Sequence, residues 1–191
     1  MIRRLIAAVI VAAAAFASGT ALAGPTGFMG TIERDEVWQH QHYGYPATPK
    51  YESGIRATFG SPCSSDSNAN SYFFFATDNN QPYRVNFHRK LGGSASSNLD
   101  NDVSGHLAAT KLDKKLRRGI WGYACRYKRG SQSKFSAHAW GIAVDVNSAY
   151  ERQGEPCHTL APEFGAVWTN HRWAWGKTWS DCMHFQYATG Y

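Results

Sequence analysis

Residues 136–147 read SAHAWGIAVDVN, and the local order of this run decides how the chain folds around it. From Gly141 onward the residues alternate as in an extended strand. Ile142, Val144 and Val146 point to one side, and Gly141, Ala143 and Asp145 to the other. His138 precedes the alternation, seven positions before Asp145. A carboxylate on a strand of small and β-branched residues is costly to bury without a partner. The small residues Gly141 and Ala143 predict open space above that face, enough for an ion, a water and a ligand.

Working outward, the partner is sought in a second run, Trp179–Tyr187, which is also strand-like. Its alternation puts His184 and Gln186 on the face opposite Phe185 and Tyr187. Two histidines and one carboxylate, His138, Asp145 and His184, leave a tetrahedral zinc ion one position for water. Asp181, three residues before His184, is placed to take that water's proton. On residue types alone, a buried histidine hydrogen-bonded to an aspartate explains the pattern equally well.

The full pattern is more specific. Ser136-x-His138-x-x-Gly141-x-Ala143-x-Asp145-x-Asn147, followed by Asp181-x-Met183-His184-Phe185, resembles the D-alanyl-D-alanine metallopeptidase family. That family comprises D-Ala-D-Ala carboxypeptidases and dipeptidases and phage-type L-alanyl-D-glutamate endolysins. The resemblance is strong over residues 120–187 and faint before them. It implies one zinc ion per chain held by His138, Asp145 and His184, and a general base at Asp181. It also implies an arginine upstream that holds the substrate's carboxylate or polarises its carbonyl. Arg126 is the best match and Arg129 the fallback, and a guanidinium suits the task because it stays charged and forks to a carboxylate. Ser136 matches the family serine near the bound peptide, with capping of a turn as its competing role. Two departures stand out: Asp181 occupies a position where many members carry Glu and one branch carries Asp, and Cys182 stands where a proline or another residue is common.

The implied activity is hydrolysis of peptidoglycan stem peptides, as a D-Ala-D-Ala carboxypeptidase or an L-Ala-D-Glu endopeptidase, by activated water without an acyl-enzyme. The competing class is a non-catalytic, zinc-containing cell-wall binding module. Asp181 argues against it, because binding alone has no use for a base.

The N-terminus bears on the compartment. Arg3 and Arg4, the apolar run Leu5–Phe16 and Ala21-Leu22-Ala23 have the order of a secretory signal peptide, so residues 1–23 are expected to be removed. The protein is then periplasmic or extracellular, with no stable membrane association after cleavage. In such a compartment the four cysteines, none in a CxxC pair, are expected to form two disulfides. Sequence leaves three connectivities open, of which Cys63–Cys125 with Cys157–Cys182 is favoured. Loss of Arg3 and Arg4 lowers the formal charge from +6 to +4, and no dense basic run points to nucleic acid. A length of 191 residues favours one domain with a hydrophobic core, and a monomer is expected.

Three stretches are expected along the chain: the signal peptide at 1–23, an irregular segment packed on the domain at 24–70, and the peptidase domain at 71–191. Tyr72–Ala76 predicts a strand, Asp78–Pro82 a turn, and Tyr83, Val85 and Phe87 a second, half-buried strand. Gly92–Gly105 is expected to be a loop, His106–Arg118 a helix capped by Ser104, and Gly119–Arg129 to include a short strand. A short helix is expected after Pro162. Few helices and several short strands predict a compact α+β domain. The resemblance adds a small, mainly antiparallel sheet flanked by helices, the Hedgehog/DD-peptidase-like fold. Of the remaining histidines, His40 and His42 in WQHQHYGY are assigned to surface or aromatic packing. His171 is a candidate to line the cleft, and Trp173, Trp175 and Trp179 to wall it, with core packing as the competing role for the tryptophans.

Overall fold

The computed structural model of the chain describes residues 46–91 and 103–191. The expected signal peptide, His40 and His42, and most of the expected Gly92–Gly105 loop lie outside the described residues. The elements in chain order are α1 (Tyr51–Phe59), β1 (Asn70–Ala76), β2 (Gln81–Phe87), α2 (Gly105–Ala109), β3 (Ala143–Asp145), α3 (Pro162–Asn170), β4 (Ala174–Trp175) and β5 (His184–Gln186). Two small antiparallel sheets, β1-β2 and β3-β5-β4, with short helices around them make an α+β fold.

The hairpin follows from alternation. Phe74, Ala76, Val85 and Phe87 are buried, while Phe73, Phe75 and Arg84 are exposed. Its turn spans residues 77–80, where Asn79 Oδ1 accepts from the Gln81 N–H at 3.2 Å. The second sheet carries the site. Its register pairs Asp145 with His184 and Ala143 with Gln186 across β3 and β5, and Trp175 with Phe185 across β4 and β5. Beneath it, Phe185 stacks between Trp168 of α3 and Trp175, with ring centroids 4.6 Å and 5.7 Å away. This aromatic layer is the apolar face that holds β5 while its other face carries His184 and Gln186.

Residues 46–70 include α1, which differs from the irregular segment expected there. Its composition, YESGIRATF, is weak in helix formers, and burial of Ile55 and Phe59 stabilises it instead. The segment is tied in at several points. Tyr51 N–H donates to Thr189 O (2.9 Å), the Trp140 indole to Gly60 O (2.9 Å), and Cys63 is bonded to Cys125.

The helix expected over His106–Arg118 ends after five residues, at Ala109. Thr110 Oγ1 turns back to His106 O at 2.7 Å, and Lys111 adopts φ 60°, so the chain re-forms only a 3-10 turn at Leu112–Lys115. Ser104 does not cap α2; its hydroxyl pairs with Tyr72 Oη. The strand expected within Gly119–Arg129 is reduced to single bridges, Trp121 with Asp145 and Tyr127 with Phe135. Within Trp179–Tyr187, only His184–Gln186 is a strand, preceded by a 3-10 turn at Gly176–Trp179. The disulfides are Cys63–Cys125 and Cys157–Cys182, the favoured connectivity of the three.

Candidate metal centre and cleft

Ser136 begins the site. It caps a 3-10 turn, Ala137–Trp140, by accepting the His138 N–H on Oγ at 3.4 Å. Its own N–H donates to Arg126 O at 3.0 Å, so the arginine-bearing segment lies alongside. The turn presents His138 and then closes at Gly141 with φ 64°. Gly141 is therefore small for a reason other than the expected one. A Cβ there would lie 2.0 Å from Ser67 O and 2.6 Å from His88 N, so the glycine admits the hairpin's backbone rather than clearing space for an ion.

After Gly141 the chain enters β3, and Asp145 is fixed from both sides. It exchanges two backbone bonds with Trp121, at 2.8 and 2.9 Å, and it faces His184 on β5. Its Oδ1 lies 3.2 Å from His138 Nε2 and 3.0 Å from His184 Nδ1. One ligand atom from each of the three residues falls within 4.8 Å of the others. Among the described residues this is a group of metal-ligand type.

The protons sit on the far sides of both rings. His138 Nδ1 is 2.6 Å from Gly122 O, and a carbonyl can only accept, so Nδ1 carries the hydrogen and Nε2 the lone pair. His184 Nε2 is 3.0 Å from Gln186 Oε1, which leaves Nδ1 as the lone pair facing Asp145. Two imidazole lone pairs and a carboxylate oxygen thus converge, an arrangement that repels itself unless a cation or a proton lies between them. The donor set fits a zinc ion, and the acceptors behind each ring are the orienting partners such sites use.

The titration of the groups follows from the same crowding. Burial acts to raise the Asp145 carboxyl, but once a proton lies between it and the imidazoles in the metal-free protein, the charge of His138 and the hydrogen bonds of both rings outweigh burial and hold the group well below the usual carboxylate range. Burial acts to lower His184, yet its bond to Asp145, that carboxylate's charge and the Gln186 bond hold it above the ordinary imidazole value. Asp181 behaves oppositely to Asp145. Burial pushes it up, opposed by His184 and reinforced by the nearby charge of Asp145.

Asp181 reaches the site from a tight turn. Its carbonyl accepts the His184 N–H at 3.1 Å, and its own N–H donates to Gly176 O at 2.9 Å. Gly176 is required by close approach, because a Cβ there would lie 2.2 Å from Asp181 O and 3.0 Å from His184 O. The neighbouring Cys182–Cys157 bond and the Trp175 indole, which donates to Cys182 O at 2.8 Å, hold the turn. Asp181 Oδ1 is buried without a hydrogen-bond partner.

A cleft of about 510 Å³ opens over these residues, and Arg126, Arg129, Ser136, Asp145, Asp181 and His184 all line it. The structure therefore brings Ser136, Asp181 and both candidate arginines to one cleft with Asp145 and His184, and His138 joins them through the three-residue group behind it. Arg129 is near enough for its charge to pull Asp181 down. Lys128 also lines the cleft, with Nζ 3.4 Å from the centroid of the Tyr191 ring. Trp179 lines the cleft as expected, whereas Trp173 is buried in the core and Trp175 lies against Phe185. His171 does not line it: the ring is buried, with Nε2 3.1 Å from His106 Nδ1. Sequence reasoning missed Trp121, Gly122 and the orienting bond of Gln186, although the alternation had put Gln186 on the face of His184.

A family model described as D-alanyl-D-alanine carboxypeptidase matches residues 129–187. Over this segment the chain is similar to the D-alanyl-D-alanine metallopeptidase family. The matched segment runs through His138, Asp145, Asp181 and His184 and begins three residues after Arg126. The match supports a peptidase. No curated protein and no solved structure matches the chain. Two disulfides fit an oxidising compartment, and among the described residues no helix is long and apolar enough to cross a membrane.

Proposed function

We propose that the protein is a zinc peptidase that hydrolyses peptidoglycan stem peptides, with His138, Asp145 and His184 as metal ligands and Asp181 as general base. The observation that carries this reading is the convergence of two imidazole lone pairs and a carboxylate in a cleft that also holds a buried, unpartnered carboxylate oxygen. When bound, a zinc ion acidifies water and polarises a carbonyl. Asp181 takes the proton of the attacking water and returns it to the departing amine. In the metal-free protein burial raises this carboxyl, and a base whose pKa lies nearer the operating pH transfers protons more readily in both directions. Arg126 holds the substrate carboxylate, or polarises the scissile carbonyl, from the cleft wall beside Ser136.

Both a terminal D-Ala-D-Ala bond and an L-Ala-D-Glu bond present a carbonyl with a carboxylate nearby, so both suit this arrangement. The protein acts as a monomer with one zinc ion per chain, exported through residues 1–23 to the periplasm or cell wall. Purified protein incubated with zinc and muropeptides, read by mass spectrometry, tests the proposal. Loss of terminal D-Ala identifies the carboxypeptidase, and fragments released at L-Ala the endopeptidase. Retention of zinc and muropeptide without any cleavage would replace the proposal with a binding module.

A further inference from the structure

We infer that Gln186 is a positioning residue that sets which nitrogen of His184 faces the metal, an inference that rests on the metal-site reading above. Gln186 is 4% exposed and lies in the central strand of its sheet. Its side-chain nitrogen is 3.2 Å from Ala188 O and 3.1 Å from Tyr191 O. Carbonyl oxygens only accept, so that end of the amide is the NH₂ and the other end is the oxygen. The oxygen faces His184 Nε2 at 3.0 Å and must accept from it. His184 is thereby left with its lone pair on Nδ1, aimed at the ligand position beside Asp145 Oδ1.

The opposite amide orientation would produce the opposite site. An NH₂ group facing Nε2 would take that lone pair and move the imidazole hydrogen to Nδ1. There it would donate to Asp145 and close the metal position. Reaching that state requires the amide oxygen to face two carbonyl oxygens and two hydrogen bonds to be lost. One of those acceptors is itself anchored, because Tyr191 Oη donates to Phe135 O and the Tyr191 ring packs on Trp140 at 5.8 Å. Phe135 leads directly into Ser136 and His138. For His138 the equivalent acceptor is the Gly122 backbone carbonyl, which no side-chain substitution removes. Gln186 is the orienting group that mutation can reach.

The test compares Gln186→Leu with Gln186→Glu. Long-range ¹H–¹⁵N spectra of the metal-free protein, at a pH where His184 is neutral, should show hydrogen on Nε2 in the wild type. Gln186→Leu should shift His184 toward the Nδ1–H tautomer and weaken zinc binding by about 10–100-fold in a chelator competition. Gln186→Glu still offers an acceptor to Nε2–H and should keep both the tautomer and the affinity. A side chain that merely fills space would give the reverse ranking, with Leu tolerated and a carboxylate facing two carbonyls disruptive. Retention of the Nε2–H tautomer and full affinity in Gln186→Leu overturns the inference. If the Glu variant does not fold, the tautomer in Gln186→Leu decides alone. If the wild type takes up no zinc, the metal-site reading fails, and the metal-free tautomer still decides the role of Gln186.

Discussion

Among the described residues, two buried pairs of histidines share nearly the same ring geometry and differ in chemistry. His138 and His184 meet edge-on with centroids 5.0 Å apart, and His106 and His171 do so at 5.3 Å. In the second pair, Nδ1 of His106 and Nε2 of His171 share one bond at 3.1 Å, so one ring's hydrogen occupies the other's lone pair. That pair joins α2 to the end of α3. In the first pair neither ring bonds to the other. Each backs onto an acceptor, Gly122 O or Gln186 Oε1, and turns its lone pair toward Asp145. Proximity of imidazoles thus does not make a site; the acceptors behind the rings do.

The comparison breaks most visibly at the ligands themselves. His138→Ala and His184→Ala should each lose zinc, measured by metal analysis of the purified protein. Peptidase activity should fall by about 10³-fold or more with the Lewis acid gone. His106→Leu and His171→Leu should keep one zinc per chain and instead lose stability, by about 1–3 kcal/mol for a buried polar partner left unsatisfied. Zinc loss from either member of the second pair, or full occupancy without His138 or His184, would erase the distinction.

The next effect separates metal binding from turnover. Asp181→Ala should bind zinc as the wild type does and lower kcat by about 10²–10⁴-fold, the usual worth of a positioned base. In the wild type, kcat/KM should decline on the acid side as Asp181 becomes protonated, because the base must be ionised to act. An unchanged kcat in Asp181→Ala would remove this residue from catalysis.

The two arginines should then differ in kind. Arg126→Ala should lower kcat/KM by about 10–100-fold, the worth of a charge-assisted hydrogen bond to substrate, and leave the acid limb in place. Arg129→Ala should have the smaller effect on kcat/KM and move the acid limb upward, since Arg129 is one of the charges that lower Asp181. An unmoved limb in Arg129→Ala, or a larger loss there, would exchange their roles.

How legible all this was in the sequence depends on the range of the interaction. The alternation in 142–146 and at His184–Gln186 set side-chain parity correctly, because a two-residue period survives whatever the strand length. The same argument overextended the strands, which stop after three residues where 3-10 turns replace them. The spacing of leucines in 106–118 predicted one helix, but a Thr110 back-bond and a left-handed Lys111 break it, and neither has a periodic signature. Gly141 was small for a reason invisible along the chain, namely the approach of Ser67 and His88 from the hairpin. Gly122 gives the site only a carbonyl, which every residue possesses, and it is glycine because a Cβ there would lie 2.6 Å from Asn86 O, so its residue type marks packing rather than the site.

The smallest expected effect concerns two carboxylates in one cleft with opposite linkage. Asp145 is held below the ordinary carboxylate value, so it contributes stability to the metal-free protein above that value, and the contribution is lost as pH falls through its folded pKa. Asp181 is held above it by burial, so the folded state binds its proton more tightly than the unfolded chain does. Ionising Asp181 therefore costs stability as pH rises from the ordinary value through the raised one, and the cost persists at neutral pH. Asp181→Asn removes that charge and should stabilise the metal-free protein by about 1 kcal/mol near neutrality, as substitutions that relieve functional sites commonly do. The gain should vanish below the ordinary aspartate pKa, where both proteins are neutral at this position. Asp145→Asn should destabilise the metal-free protein at neutral pH instead. Denaturant unfolding of chelator-treated protein at acid and neutral pH measures both. Destabilisation by both variants at neutral pH would show that the buried Asp181 carboxylate is not held in the folded protein at the expense of stability.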